Sequence, residues 1–210
     1  MVRSTSLILT VSALTAGACA SQADGDPSSR IASVTTEAGA PSETPGSDVA
    51  EPDLVISGQY DDSRFLDMMA AHHQMAIDQA KMALEHADHE ELRTMARGIV
   101  DTQTAEIEEI RSIKQDEYGS THVPLVMNEE QMDDMGVLTD AQLEAAKPFD
   151  LAFIDGMMPH HAGAITMASV AHLRSKNAKI LTLARTIIDA QATEIGKMTA
   201  MRKSWYPTAP

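Results

Sequence analysis

Along the chain, apolar positions fall into helical steps. From Tyr60, Phe65, Met69, Ala76, Ala80 and Ala83 recur every three or four residues, the spacing that gathers side chains into one stripe of an α-helix. Asp61, Asp62 and Ser63 supply a cap and favourable charge for its first turn. The polar break His86-Ala87-Asp88-His89 precedes a second helix predicted over 90–117, with the stripe Leu92, Met95, Ile99, Glu106, Ile110 and Ile113. Gly119 suits its C-terminal stop. An irregular connection containing His122, Pro124 and Met127 leads into two short helical pieces, predicted at 128–135 and 139–146, each opened by a capping residue. Pro148 suits the first turn of a third long helix reaching about Leu173. After the turn Ser175-Lys176-Asn177, a fourth runs from Ala178 to about Ser204, and Pro207 and Pro210 stop it. No stretch alternates apolar and polar residues with period two, so no sheet is expected.

The chain is duplicated. Phe65-x-Asp67-x-Met69-x-x-His72-His73-x-x-Ala76-Ile77 returns as Phe153-x-Asp155-x-Met157-x-x-His160-His161-x-x-Ala164-Ile165, a constant offset of 88 positions from 72 to 160. Arg97-x-Ile99-x-Asp101-x-Gln103-x-x-Glu106-Ile107 falls without a gap on Arg185-x-Ile187-x-Asp189-x-Gln191-x-x-Glu194-Ile195. Two helix pairs with tight internal turns and a longer crossover make an all-α, four-helix bundle of ferritin-like topology. Function is to be sought in what both halves carry.

Composition narrows the classes. A net charge of −15 over 210 residues argues against a nucleic-acid partner, which needs a basic face. Methionine is abundant, 14 residues against three Phe and one Trp, and the eight histidines are clustered. Arg3 followed by the apolar run Leu7 to Leu14 has the size of a secretory signal and is too short to span a membrane. Small residues then lead to Cys19, the sole cysteine. Residues 1–20 therefore read as a signal peptide, with Cys19 the lipidation point of a bacterial lipoprotein or, alternatively, a general signal-peptidase cut after Ala18 or Ala20. Either places the mature domain outside the cytoplasm, without a disulfide. Residues 21–57, rich in Ser, Thr, Ala, Gly, Pro and acidic groups, read as a flexible tether. The folded domain is expected over 58–206, with a tail at 207–210.

The repeated polar groups point to metal chemistry. Met68, His72, Met75, Gln79, Met82 and His86 lie on one helix stripe, and His73 groups with Met69 beside it. In the second copy His160 shares a face with Met167, Met157 lies four residues before His161, and Met158 is adjacent. Thioether and imidazole together suit Cu(I), with Ag(I) a chemical mimic, whereas carboxylate-rich sites suit Mg, Ca or Mn. Gln103, Glu106, Gln191 and Glu194 stand on otherwise apolar stripes. They are natural partners for the histidines, since a ligating imidazole donates its other N–H to a carboxylate or amide. Asp67 and Asp155 are expected in the same role or as weak ligands. The competing explanation is packing: methionine is ordinary core filler, and a duplicated His–Glu network can simply pin a bundle. His86, His89, His122 and His172 have no counterpart in the other half; of these His86 is best placed to assist. Gly156 and Gly163 replace Met68 and Met75, and Pro159 interrupts the third helix, so the soft-metal site is expected mainly in the first helix.

These residues resemble a known family. Phe65-x-Asp67 into His72-His73-x-x-Ala76-Ile77 and Gln103-x-x-Glu106-Ile107, and still more Phe149-Asp150-x-x-Phe153-x-x-x-Met157-x-Pro159-His160-His161-x-x-Ala164-Ile165-x-Met167-Ala168, are similar to the signature of bacterial domain-of-unknown-function family 305. Gln191-x-x-Glu194-Ile195 and Trp205 agree as well. The likeness covers roughly residues 59–206 and departs at Gln79, which stands where Met167 lies in the other copy. It implies a secreted or lipid-anchored ferritin-like bundle, with copper binding known for some members.

Three functions compete. The first is a copper-binding, non-catalytic module that sequesters or hands on the metal; its partners would be the ion, a membrane reached only through the lipid anchor, a copper-transfer protein or a second copy. The second is a lipoprotein interaction module whose His–Glu network is structural. The third, a di-iron or di-manganese enzyme, requires Glu-x-x-His on two helices, and neither histidine pair has a Glu three residues before it.

Overall fold

The computed structural model describes residues 54–56, 59–126 and 138–209. Cys19, the signal, most of the tether and the helical piece expected at 128–135 lie outside the described residues.

Among the described residues there are four long helices. Helix α1, Asp62–His86, is capped by the Asp61 carboxylate, which accepts the Arg64 backbone N–H at 2.8 Å. Helix α2, Glu90–Tyr118, ends at Gly119, whose φ of +67° suits the left-handed stop that glycine adopts without strain. The short α3, Asp140–Ala145, carries a reciprocal Thr139–Gln142 capping box. Helix α4, Phe149–Arg174, contains Pro159 on its exposed side. Helix α5, Ala178–Trp205, is capped by Asn177, which accepts the Lys179 N–H at 2.9 Å.

Helix α1 packs chiefly on α2, and α4 chiefly on α5; the two hairpins meet along α1 and α4, while α2 barely touches α5. Asp150 at the start of α4 meets the α1–α2 turn. Phe65 near the start of α1 shares a core with Ala171 near the end of α4. Helices α1 and α4 are therefore antiparallel, and the connection from α2 to α4 must travel the length of the bundle. That is the crossover of a ferritin-like fold.

Two local features add to this helical architecture. A small antiparallel ribbon exists: β1, Val55–Ile56, pairs with β2, Gln59–Tyr60, in the register Val55↔Tyr60. Two residues per strand are too few to show a period. Second, the tether ends earlier than residue 57, because Leu54 is fully buried in the core and its carbonyl accepts the Asp61 N–H at 3.0 Å.

The interior is divided. One apolar core holds Phe65, Leu66, Met69, Ile110, Met167, Ile180 and Ile187. The other holds Ala80, Leu92, Ile99, Phe149, Phe153, Met157 and Met198. Between the two cores each long helix carries buried or half-buried polar residues.

Candidate metal centre

The polar layer is built from the duplicated motif. Helices α1 and α4 each bring a His-His pair, and α2 and α5 each bring a Gln and a Glu three residues apart. One turn in either direction the same faces are apolar, so each helix is anchored above and below the layer. His72, His73, His160 and His161 are fully buried, and Gln103, Glu106 and Gln191 are nearly so.

The layer has a centre and two flanks. At the centre the His72 and His160 rings face each other with centroids 3.6 Å apart and planes tilted by 34°. Among the described residues neither nitrogen of either ring meets a well-aligned hydrogen-bond partner. On one flank His161 Nε2 donates to Glu194 Oε2 at 2.6 Å. On the other, His73 Nε2 lies 2.8 Å from Glu106 Oε2 but out of line for a hydrogen bond. A carboxylate only accepts, so Nε2 of His161 carries the proton and Nδ1 of the neutral ring keeps a lone pair. That Nδ1, like Nδ1 of His73, is buried and unpartnered, as are both polar atoms of the Gln103 and Gln191 amides.

Electrostatics keep the centre uncharged. Burial pushes the His72 and His160 pKa values well below the ordinary histidine value, and neighbouring histidines push the same way; a loose approach to the opposite ring's backbone opposes this only partly. The centre therefore presents two neutral imidazoles with lone pairs inside an apolar bundle. So many orphaned polar atoms in one layer are unusual and call for an occupant, an ion or water.

The donor set fits a soft or borderline ion, although the residues do not form a ready cage. Among the described residues no three His, Cys, Asp or Glu side chains converge to hold an ion between them. An ion held here would need further donors, thioether or water. Met69 and Met167 are buried in the first core and Met157 in the second, with Met68 packed on the first and Met82 and Met158 on the second; Met75 is half-buried. Met95, Met198 and Met201 also belong to the second core, so methionine is concentrated at the end of the bundle holding the start of α4. His86 is exposed, its ring 5.6 Å from that of Phe149, and does not join the layer.

Asp67 and Asp155 are also placed elsewhere. Asp67 accepts from the buried Lys114, and Asp155 accepts from Arg202 Nε at 2.5 Å and Nη2 at 3.2 Å. Lys114 and Arg202 are themselves separated by the repeat offset, so the duplication preserves an ion pair that the histidine motif concealed.

A duplicated four-helix bundle with a buried histidine layer defines a class of candidate metal-binding bundles. The chain belongs to the family described as domain of unknown function DUF305, whose model matches residues 62–202. It is similar to CopM, solved in a Cu(II)-bound form (36% identity, TM-score 0.65) and a Cu(I)-bound form (35% identity, TM-score 0.61), each likeness covering 70% of this chain and 99% of CopM. It is also similar to a DUF305 protein of Streptomyces coelicolor classed as secreted (26% identity, TM-score 0.56), over 67% of this chain and 90% of that one. No curated protein matches the chain.

Proposed function

We propose that this protein is an extracytoplasmic, non-catalytic copper-binding protein that takes Cu(I) through histidine and methionine for sequestration or homeostasis. The observation that carries this reading is the pair of buried, uncharged imidazoles, His72 and His160, with four unpartnered nitrogens. Neutral imidazole and thioether bind Cu(I) without having to release a proton, and an apolar shell around them slows oxidation by excluding water. Glu106 and Glu194 would orient His73 and His161, fixing which nitrogen faces the metal. The likeness to CopM, solved with Cu(I), Cu(II) and silver, supports copper as the ion. The secreted class of the Streptomyces relative and the sequence's signal-like N-terminus support an extracytoplasmic location, with Cys19 as the lipid-anchored residue.

X-ray absorption of the Cu(I)-loaded protein tests the ligand set. Mixed nitrogen and sulfur scattering is expected. A shell of nitrogen and oxygen alone would remove the methionines from the site. The second reading, a structural His–Glu network, is favoured by one observation: no three-ligand cluster stands ready among the described residues. It expects no tight copper binding and no effect of chelator on folding.

A further inference from the structure

A different histidine has the preparation of a metal ligand. His89 begins α2 and has no side-chain cap of its own to offer that helix. The turn before it is held instead by Asp150, 61 residues away in the first turn of α4, whose carboxylate is fully buried. Asp150 Oδ1 accepts the Asp88 backbone N–H at 2.9 Å, and Oδ2 accepts the His89 backbone N–H at 3.0 Å. Oδ2 also lies 2.7 Å from His89 Nδ1. As the carboxylate can only accept, Nδ1 carries a proton, and in the neutral ring the lone pair resides on Nε2.

The ring plane is fixed as well. His89 stacks on the Trp205 indole at 3.9 Å with planes 5° apart, and the Tyr206 ring stands edge-on at 6.4 Å. With one face against Trp205 and Nδ1 turned to a buried carboxylate, 36% of the side chain stays exposed, and Nε2 is not one of the buried, unpartnered nitrogens. The surroundings are acidic. Asp88 is exposed on the same turn, and Asp88 and Asp150 both act on the Tyr206 hydroxyl, whose pKa is raised first by burial and then by these two charges. Arg93 on α2 is engaged by Glu90 and the Ala87 carbonyl, and Arg202 on α5 is engaged by Asp155.

We propose that His89 is the anchor of a separate surface metal site, in which Nε2 ligates a divalent first-row cation, Cu(II) foremost, and water completes the coordination. A carboxylate on the far nitrogen raises ligand basicity and fixes the tautomer, as in carboxylate–histidine–metal arrangements. Among divalent first-row ions Cu(II) binds nitrogen ligands most strongly. The site lies at the end of the bundle, away from the histidine layer, and does not depend on the layer binding copper.

Trp205 is the only tryptophan, so its emission reports this end alone. Metal-free full-length protein titrated with Cu(II) at neutral pH is expected to show saturable quenching. His89→Phe keeps a flat ring on Trp205 and removes Nε2; it should weaken the apparent affinity at least tenfold at unchanged helicity by circular dichroism. Asp150→Asn should weaken it by about tenfold. A double variant of the central layer, His72→Leu with His160→Leu, should quench like wild type. Quenching that never saturates, survives His89→Phe or disappears in the layer variant would overturn the proposal. Wild type also supplies a check that needs no variant. Sub-stoichiometric Cu(II) should broaden the Trp205 indole N–H resonance, and a sharp indole signal at one equivalent would contradict the site. Cu(I) competition, which reads the layer, is a separate measurement, so failure of either site leaves the other standing.

Discussion

Replacing His72 and His160 together by leucine should stabilise the metal-free protein while removing its central donors. The two rings bring four buried nitrogens without hydrogen-bond partners. A buried unsatisfied polar group costs about 1–3 kcal/mol; the lower figure, allowing for relaxation and trapped water, gives about 4 kcal/mol for the set. Leucine is close in size to histidine, and repacking a tight interior costs about 1–2 kcal/mol. The net expectation is a gain of about 2–3 kcal/mol, or about 4–12 °C in melting temperature for a domain of this size. The assay is urea unfolding with chelator at pH 7.5, where a higher midpoint at unchanged slope reports stability alone. Loss of about 2 kcal/mol or more would refute the reasoning, because it would mean that the rings are held by favourable partners and belong to a structural network.

The same rings set a pH dependence. Their pKa values are lowered in the folded state, so below about pH 6.5 the unfolded chain takes up protons that the folded chain does not. Their contribution to stability should be level above neutrality and fall with acidity, by up to about 1.4 kcal/mol per pH unit for each ring. Urea midpoints of metal-free protein at pH 7.5 and 5.5 check this, and the double leucine variant should lose most of the difference. Glu194→Gln should lower Cu(I) affinity by about 10- to 100-fold by loosening His161, measured by chelator competition. Asp67→Asn leaves the buried Lys114 without its carboxylate and should cost about 2–3 kcal/mol. Asp155→Asn beside the more exposed Arg202 should cost under about 1 kcal/mol; paired urea curves distinguish them. Gly119→Ala, at a φ of +67°, should cost about 1 kcal/mol in the same assay.

The helices were legible because each long one keeps an apolar stripe for six turns or more, and caps such as Asp61, Thr139 and Asn177 mark where the stripes begin. The ribbon was not, since two residues per strand, Val55–Ile56 and Gln59–Tyr60, are too few to show a pattern and are held by pairing to each other. The pairings of His73 with Glu106 and His161 with Glu194 were suggested by polar residues standing on otherwise apolar faces at the repeat offset. The fate of Asp67 and Asp155 was hidden because their basic partners sit 47 residues further along, on neighbouring helices. Lys114 and Arg202, basic at matching positions, were the available signal. Nothing local connects His89 to Asp150 or Trp205. That cluster arises only when the crossover brings the start of α4 and the end of α5 to the α1–α2 turn. The division into two cores was likewise implicit in the order of residues along each helix but needed all four helices in register to be seen.

An anaerobic Cu(I) competition titration against a chromogenic chelator, on the folded domain beginning before Leu54, tests the central claim most directly. Tight binding in wild type, reduced at least 100-fold by His72→Leu with His160→Leu while the helical content is kept, is the predicted result. Wild-type protein that cannot withdraw Cu(I) from a weak chelator, or a double variant that binds as tightly as wild type, would contradict it.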